Sequence, residues 1–154
     1  MIKTGAKAPD ISLPDQDGNV VTLSDLLAEG PVILYFYPSD FTPGCTKEAC
    51  SLRDMQTDLV ASGLRVVGVS PQDSASHRRF ADKHQLEFIL LADEQKQAVK
   101  AYDVDGPLGF GVRRASFLIA ADGTILDSIQ ADFMIDRHDE FFRRAAAQMK
   151  SSQD

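Results

Sequence analysis

The stretch Pro31-Val-Ile-Leu-Tyr-Phe-Tyr37, followed by Pro38-Ser-Asp-Phe-Thr-Pro-Gly-Cys-Thr-Lys-Glu-Ala-Cys50, decides how this chain folds and contains both of its cysteines. Its first half is continuously apolar and rich in β-branched and aromatic residues, which is typical of a strand covered on both faces. Prolines and a glycine then mark a tight loop, and helix-forming residues follow Cys45. The stretch predicts a buried strand, a loop and a helix that begins beside Cys45.

A cysteine in the first turn of a helix is well placed for nucleophilic chemistry. Its sulfur faces unpaired backbone N–H groups and the positive end of the helix dipole, and both favour the thiolate over the thiol. Because the thiolate is the reactive form, Cys45 is the candidate nucleophile. The alternative is a small buried thiol that packs like alanine.

Strand and helix patterns alternate along the rest of the chain, as expected of a sheet covered by helices. Asp-Gly turns predict two hairpins, and Ser24 is the expected cap of a short helix. The tail 151–154 is expected to fray. The predicted strands are 11–13, 20–23, 31–37, 65–69, 88–91, 115–120 and 125–130, and the predicted helices are 25–28, 46–61, 74–84, 94–102 and 137–149.

Length and composition bound the possible functions. A chain of 154 residues, 44% hydrophobic and 25% charged, fits one globular domain spanning residues 1–154. Its apolar runs are too short for a membrane span, and its N-terminus lacks the apolar core of a secretory signal, so we expect a cytoplasmic protein with no membrane partner. The net charge of −7 argues against nucleic acid as a partner. That compartment keeps thiols reduced, so a disulfide between the two cysteines would be catalytic or redox-sensing in preference to structural.

The loop and the cysteine spacing carry a family resemblance. Pro38-x-x-x-Thr42-x-x-Cys45 resembles the peroxidatic loop of the peroxiredoxins, and Cys45-x4-Cys50 is similar to their peroxiredoxin Q or bacterioferritin-comigratory subgroup. The similarity extends from Gly5-x-x-Ala8-Pro9 to Arg113-Arg-Ala-Ser-Phe-Leu-Ile119. It implies an α/β, thioredoxin-like fold with an N-terminal β-hairpin extension and a central mixed sheet flanked by helices.

The resemblance also implies a reaction. Cys45 attacks hydrogen peroxide or a small organic hydroperoxide and becomes a sulfenic acid, which Cys50 resolves as an intramolecular disulfide. Thioredoxin, or a similar dithiol protein, then reduces that disulfide, and no metal, haem or flavin cofactor is expected. Helix positions five apart point about 140° away from each other and exceed the ~7 Å Cα separation of a disulfide. The helix must therefore unwind locally before the two sulfurs bond.

Other residues near Cys45 take their expected roles from the same resemblance. Thr42 accepts a hydrogen bond from the peroxide, and Arg114 reaches the sulfur, where its charge and several donors stabilise the thiolate and the developing negative charge. Glu48 orients that arginine. The expected pocket residues are Pro38, Pro43, Gly44 and Phe110.

Each of these residues also has an ordinary structural interpretation. Thr42 can shape the loop by a local hydrogen bond, and Glu48 can be a surface charge. Arg113 is an alternative to Arg114 as the arginine that contacts the sulfur. Asp40 is expected to face water. The histidines are expected on helical surfaces, which predicts neither a Cys/His pair nor a metal cluster; they are His77, His84 and His138.

Two other functions compete with the peroxidase. A disulfide oxidoreductase of the same fold would have Cys-x-x-Cys at the helix start, whereas four residues separate these cysteines. A copper-binding module would use both cysteines and a distant histidine, and retention of Cu(I) would reveal it.

The segment Gly106-Pro-Leu-Gly-Phe-Gly111 superficially suggests a phosphate loop, but it leads into a strand and is better interpreted as a flexible flap. We expect a monomer, with a weak dimer as the alternative.

Overall fold

Strands and helices alternate along the computed structural model, which describes the backbone of residues 1–153 and the side chains of residues 1–151. Besides a short 3-10 turn at Pro107–Gly109, the elements are β1 (Ser12–Pro14), β2 (Val20–Thr22), α1 (Leu23–Leu27), β3 (Val32–Phe36), α2 (Pro43–Asp54), α3 (Gln56–Ala61), β4 (Arg65–Ser70), α4 (Ser74–His84), β5 (Ile89–Ala92), α5 (Gln97–Ala101), β6 (Ala115–Ile119), β7 (Ile125–Gln130) and α6 (Ile135–Gln153).

Five of the strands form one mixed sheet in the order β5-β4-β3-β6-β7. Strand β4 is parallel to β3 and β5, whereas β6 is antiparallel to β3 and to β7. Strands β1 and β2 make a separate antiparallel hairpin. The predicted α/β fold, a central mixed sheet flanked by helices with an N-terminal hairpin, is confirmed.

The apolar run in β3 is buried on both faces because two hydrophobic layers cover the sheet. Side chains alternate between the faces of a strand. Leu34 and Phe36 therefore pack into one layer, and Ile33 and Tyr35 pack into the other. Cys45 belongs to the second layer, so the reactive residue is part of the hydrophobic core on that side.

Pairing between β3 and β6 brings distant parts of the chain to one end of the sheet. Phe36, the last residue of β3, pairs with Ala115, the first residue of β6. Because these strands are antiparallel, the loop that follows β3 and the residue that precedes β6 emerge side by side. Arg114 is thus placed next to the loop that leads to Cys45.

Several helix boundaries differ from the predicted ones. Helix α1 begins at Leu23 because Thr22 Oγ1, and not Ser24, accepts a hydrogen bond from a first-turn N–H, that of Asp25. The helix predicted at 46–61 is divided at Met55 into α2 and α3, and α5 is shorter than the predicted 94–102. Helix α6 continues to Gln153, so the tail predicted to fray is helical to that point, and 154 lies outside the described residues. None of the described helices is long and apolar enough to cross a lipid bilayer.

Candidate active site

Cys45 lies in the first turn of α2, as predicted. Pro43 occupies the start of the helix, where a missing N–H costs nothing, and Thr42 is the N-cap with extended backbone. The Cys45 side chain is 2% exposed and its sulfur is free. The first-turn N–H groups have no helical carbonyl to bind, so their partial positive charge favours an anion at this position.

Arg114 connects the sulfur to a buried carboxylate. Its Nη2 donates to Cys45 Sγ at 3.2 Å and its Nη1 donates to Glu48 Oε1 at 2.8 Å. The backbone N–H of Arg114 donates to Asp132 Oδ1 at 2.8 Å, which fixes the residue before β6. Burial alone would lower the pKa of Arg114, but the neighbouring Glu48 and Cys45 raise it. A permanent positive charge is therefore held against the sulfur.

Arg113 points to a different part of the molecule. Its Nε donates to the carbonyl oxygen of Asp105 at 3.2 Å, and its Nη1 lies 3.8 Å from Asp132 Oδ2. The structure therefore resolves the ambiguity between the adjacent arginines, since Arg114 is the one in contact with Cys45.

Glu48 is fully buried and faces two cationic or basic groups. Besides the contact between Oε1 and Arg114, its Oε2 lies 3.4 Å from His138 Nδ1. Burial raises the pKa of Glu48 to about 7, although the charge of Arg114 acts in the opposite direction. The interpretation of Glu48 as a surface charge is wrong, because no part of it reaches solvent.

The Thr42 hydroxyl donates to the carbonyl oxygen of Ser39 at 3.0 Å. This is the local hydrogen bond of the structural interpretation, and it leaves the lone pairs of Oγ1 available to accept from a bound molecule. Gly44 is close to the arginine, since a Cβ at this position would lie 3.2 Å from Arg114 Nη2. Pro43 is exposed, and half-buried Pro38 is anchored through its carbonyl oxygen, which accepts from Gln72 Nε2 at 3.1 Å.

Asp40 does not face water, contrary to the prediction, because three side chains bind it in the interior. The Tyr37 hydroxyl donates to Oδ1 at 2.7 Å, the Ser76 hydroxyl donates to Oδ2 at 2.8 Å, and His77 Nδ1 lies 2.7 Å from Oδ2. His77 Nε2 lies 3.0 Å from the carbonyl oxygen of Leu91. The His77 ring therefore links Asp40 to the backbone of β5.

Two predicted residues lie farther from the contacts around the sulfur. Cys50 is half-buried and free, and it shares α2 with Cys45. In a regular helix their Cα atoms are roughly 8–9 Å apart, beyond disulfide reach. Phe110 lies in the loop before β6 with its side chain 78% exposed, so its part in a pocket stays a prediction. Within the described residues, no group of three or more His, Cys, Asp or Glu side chains is arranged to hold a metal ion.

Comparison with known proteins agrees with this geometry. The AhpC/TSA family matches residues 4–128. Peroxiredoxin Bcp of Escherichia coli (strain K12) is 43% identical over 143 residues, covering 89% of this chain and 90% of the relative. The chain belongs to the AhpC/TSA family of peroxiredoxins. As a peroxiredoxin of the Bcp and peroxiredoxin Q type, it is a thiol peroxidase.

Solved structures of related peroxiredoxins share the fold over almost the whole chain. Peroxidoxin BcpB from Mycobacterium tuberculosis superposes with a TM-score of 0.89 at 37% identity, covering 98% of each chain. The bacterioferritin comigratory protein of Xanthomonas campestris, whose structures concern its alkyl peroxide reduction activity, has a TM-score of 0.82 at 25% identity, covering 91% of this chain and 92% of its own.

Two buried histidines of this peroxiredoxin were not predicted. His77 and His138 are 0% exposed, contrary to their expected place on helical surfaces. The signal was present in α6, where the spacing of the buried residues follows one helical face: Ile135, His138, Phe142, Ala145 and Met149. A polar residue on such a face is often bound to a partner, but the partner itself, Glu48, comes from a helix distant in sequence.

Proposed function

We propose that this peroxiredoxin reduces hydrogen peroxide and small organic hydroperoxides at Cys45. The thiolate attacks the terminal peroxide oxygen, the O–O bond breaks, and the sulfur becomes a sulfenic acid. The leaving oxygen departs as hydroxide or alkoxide and takes a proton to give water or an alcohol. The observation that carries the proposal is the 3.2 Å contact between Arg114 Nη2 and the buried sulfur at the start of α2.

Arg114 and Thr42 are the groups that we assign to the peroxide. The guanidinium is permanently charged and presents several donors, so it can bind the thiolate and the oxygen on which negative charge develops. Thr42 Oγ1, whose hydrogen is donated to Ser39, accepts the hydrogen bond from the hydroperoxide O–H. Together they orient the O–O bond toward the sulfur. Glu48 holds the other arm of the guanidinium.

Cys50 is the proposed resolving residue. Its thiol condenses with the sulfenic acid of Cys45, so a disulfide forms and water leaves. Both cysteines are in α2, and a regular helix holds them too far apart for this bond, so α2 must unwind before resolution.

The remaining steps involve a partner. A dithiol protein of the thioredoxin type exchanges its thiols with the disulfide, which returns both cysteines of the peroxidase to the reduced form. We place this cycle in the reducing cytoplasm and propose that the chain acts as a monomer.

Single-cysteine variants test the assignment. Cys45→Ser should lose peroxide reduction, whereas Cys50→Ser should complete one turnover and accumulate sulfenic acid, because only Cys45 meets the substrate. The measurement is peroxide consumption together with intact-mass detection of the dimedone adduct after one equivalent of peroxide. Equal peroxide reactivity of Cys45→Ser and the wild type would refute the proposal.

A further inference from the structure

The side-chain amide of Gln72 spans part of the loop that follows β3. Gln72 is half-buried and lies in the turn between β4 and α4. Its Oε1 accepts from the backbone N–H of Asp40 at 3.0 Å, and its Nε2 donates to the carbonyl oxygen of Pro38 at 3.1 Å. The Ser70 hydroxyl also donates to Oε1, at 2.6 Å. One side chain therefore binds the loop on both sides of Ser39.

The two backbone partners determine how the amide of Gln72 is oriented. A backbone N–H only donates and a carbonyl oxygen only accepts, so the amide oxygen must face Asp40 and the amide nitrogen must face Pro38. Exchange of the two atoms would break both hydrogen bonds. The amide and the loop therefore fit each other in one arrangement.

The peptide unit that Gln72 binds also binds Thr42. The carbonyl of Ser39 and the N–H of Asp40 belong to the same peptide unit, which is planar and trans. Its N–H donates to Gln72, and its carbonyl oxygen, on the opposite side, accepts from Thr42 Oγ1 at 3.0 Å. Rotation of this unit would break both bonds. The orientation of the Thr42 hydroxyl therefore depends on Gln72.

The backbone between this peptide unit and Thr42 is strained. Phe41 has a φ of +67°, in the left-handed region, which is uncommon for a bulky residue. Such a conformation persists only where surrounding contacts hold it. The carboxylate of Asp40 provides some of them through three side-chain contacts, and Gln72 provides those to the backbone. Because the carboxylate contacts do not involve Gln72, the loop stays attached to α4 when Gln72 is replaced.

We propose that Gln72 is a positioning residue of this active site: it orients the Ser39–Asp40 peptide unit and thereby the lone pairs with which Thr42 Oγ1 accepts from the hydroperoxide. The inference deepens the proposed function and rests on it, because Thr42 is assigned there to the peroxide. Gln72 binds the loop and not the sulfur, so it acts on the orientation of the peroxide and leaves the reactivity of the Cys45 thiolate unchanged.

Two electrophiles separate an effect on the peroxide from an effect on the sulfur. Gln72→Met keeps the length of the side chain and loses both hydrogen bonds to the loop. It should slow oxidation of Cys45 by hydrogen peroxide about tenfold, because the acceptor on Thr42 is misdirected. Alkylation by iodoacetamide, in which the thiolate displaces iodide, should keep its rate. Quenched-flow measurement with intact-mass detection follows both reactions, and equal slowing of the two would refute the inference.

A double-mutant cycle tests the route through Thr42. Thr42→Val removes the hydroxyl with little change of shape, so it should itself slow oxidation by hydrogen peroxide. In that background Gln72→Met should have no further effect, because the group that Gln72 orients is absent. Losses of rate that multiply in the double variant would show that Gln72 acts by another route, and would overturn the proposal.

The chain provides a matched control at the edge of the sheet. Gln16 is also half-buried; its Nε2 donates to the carbonyl oxygen of Phe88 and its Oε1 accepts from the N–H of Leu90, both at 3.0 Å. As with Gln72, one amide spans a carbonyl oxygen and the N–H two residues further on. Gln16→Met should cost a similar amount of stability in urea unfolding and leave oxidation of Cys45 unchanged. Equal slowing by both variants would reduce Gln72 to a structural residue.

The outcomes also separate this inference from the proposed function. If Thr42→Val keeps the full rate, the assignment of Thr42 to the peroxide fails and the inference fails with it. If Thr42→Val is slow and Gln72→Met is not, the inference alone fails. Gln72→Asn, whose amide is one methylene too short to reach both backbone groups, repeats the test if Gln72→Met does not fold. It should show the same selective loss of peroxide oxidation.

Discussion

At the scale of single residues, the site is organised by the fork of Arg114. Two of its nitrogens bind different partners, the sulfur of Cys45 and the carboxyl group of Glu48. A planar guanidinium can do this because its donors diverge at fixed angles. An ammonium group has the same charge but cannot bridge the two partners in this geometry.

The first prediction follows from this bridge. Arg114→Lys should slow oxidation of Cys45 by on the order of 10²-fold, because charge is kept while the two-armed contact is lost. Reduction of the disulfide should hardly change, since it uses a different surface. Quenched-flow measurement with intact-mass detection separates the two steps.

Arg113→Lys is the matched control for that measurement. Arg113 contacts Asp105 and Asp132 and lies outside the contacts around the sulfur, so its replacement should be mild. A large defect at Arg113 with none at Arg114 would contradict the assignment of the arginine.

At the scale of elements, α2 is fastened to α6. Lys47 Nζ donates to Asp136 Oδ1 at 3.2 Å, and Ser51 Oγ donates to Asp139 Oδ2 at 3.3 Å. The pair formed by Glu48 and His138 lies between these contacts. At its other end α2 stops at Met55, where the chain turns into α3. The proposed resolving step therefore opens one short segment, α2, which ends at Met55.

Hydrogen exchange tests this opening. Amides in residues 44–52 should exchange faster in the oxidised protein than in the reduced protein, because the disulfide is incompatible with a regular helix there. Protection of α4 (Ser74–His84) should not change, which provides the internal control. Unchanged protection of 44–52, or a disulfide-linked dimer on a non-reducing gel, would exclude resolution of Cys45 by Cys50 within one chain.

Local sequence signals predicted most elements but few of their connections. The apolar run in β3 and the glycine-punctuated loop before Cys45 identified the strand, the loop and the helix, because each depends on neighbouring residues. The family resemblance implied the contact of Glu48 with Arg114, whereas its contact with His138 depends on how α6 packs beside α2, and no local pattern reports that packing. The prediction that Asp40 faces water was wrong for the same reason, since its hydrogen-bond partners include Ser76 and His77 of α4.

At the scale of the whole molecule, the buried contact between Asp40 and His77 joins the loop after β3 to α4, and the other ring nitrogen of His77 joins α4 to β5. Burial alone would raise the pKa of Asp40, but hydrogen bonds and charge from His77, together with Tyr37 and Ser76, lower it below its ordinary value. The carboxylate thus stabilises the folded state above pH ~4, and this contribution is lost as the pH falls through the lowered pKa.

Asp40→Asn should therefore destabilise the protein by about 3 kcal/mol at pH 7, because it removes the buried carboxylate that binds Tyr37, Ser76 and His77. The difference from the wild type should shrink as the pH falls below ~4 and through the lowered pKa of Asp40 in the folded protein, because protonation of the carboxylate then removes the advantage of the wild type. Urea unfolding between pH 3 and pH 7 measures both quantities. The control is Asp82→Asn in an exposed pair with Arg78, which should cost less than about 1 kcal/mol at any pH. Equal losses for the two variants would exclude a special role for the buried pair.

The fastening of α2 to α6 has one more consequence. In the proposed resolving step, opening of α2 releases its contacts with α6, so the disulfide form differs from the reduced form in the shape of its surface as well as in its sulfurs. The conformation of α2 would then distinguish the disulfide form from the reduced form for a protein that binds this surface. A reductant that binds only this altered surface would act on the disulfide form and not on the reduced form.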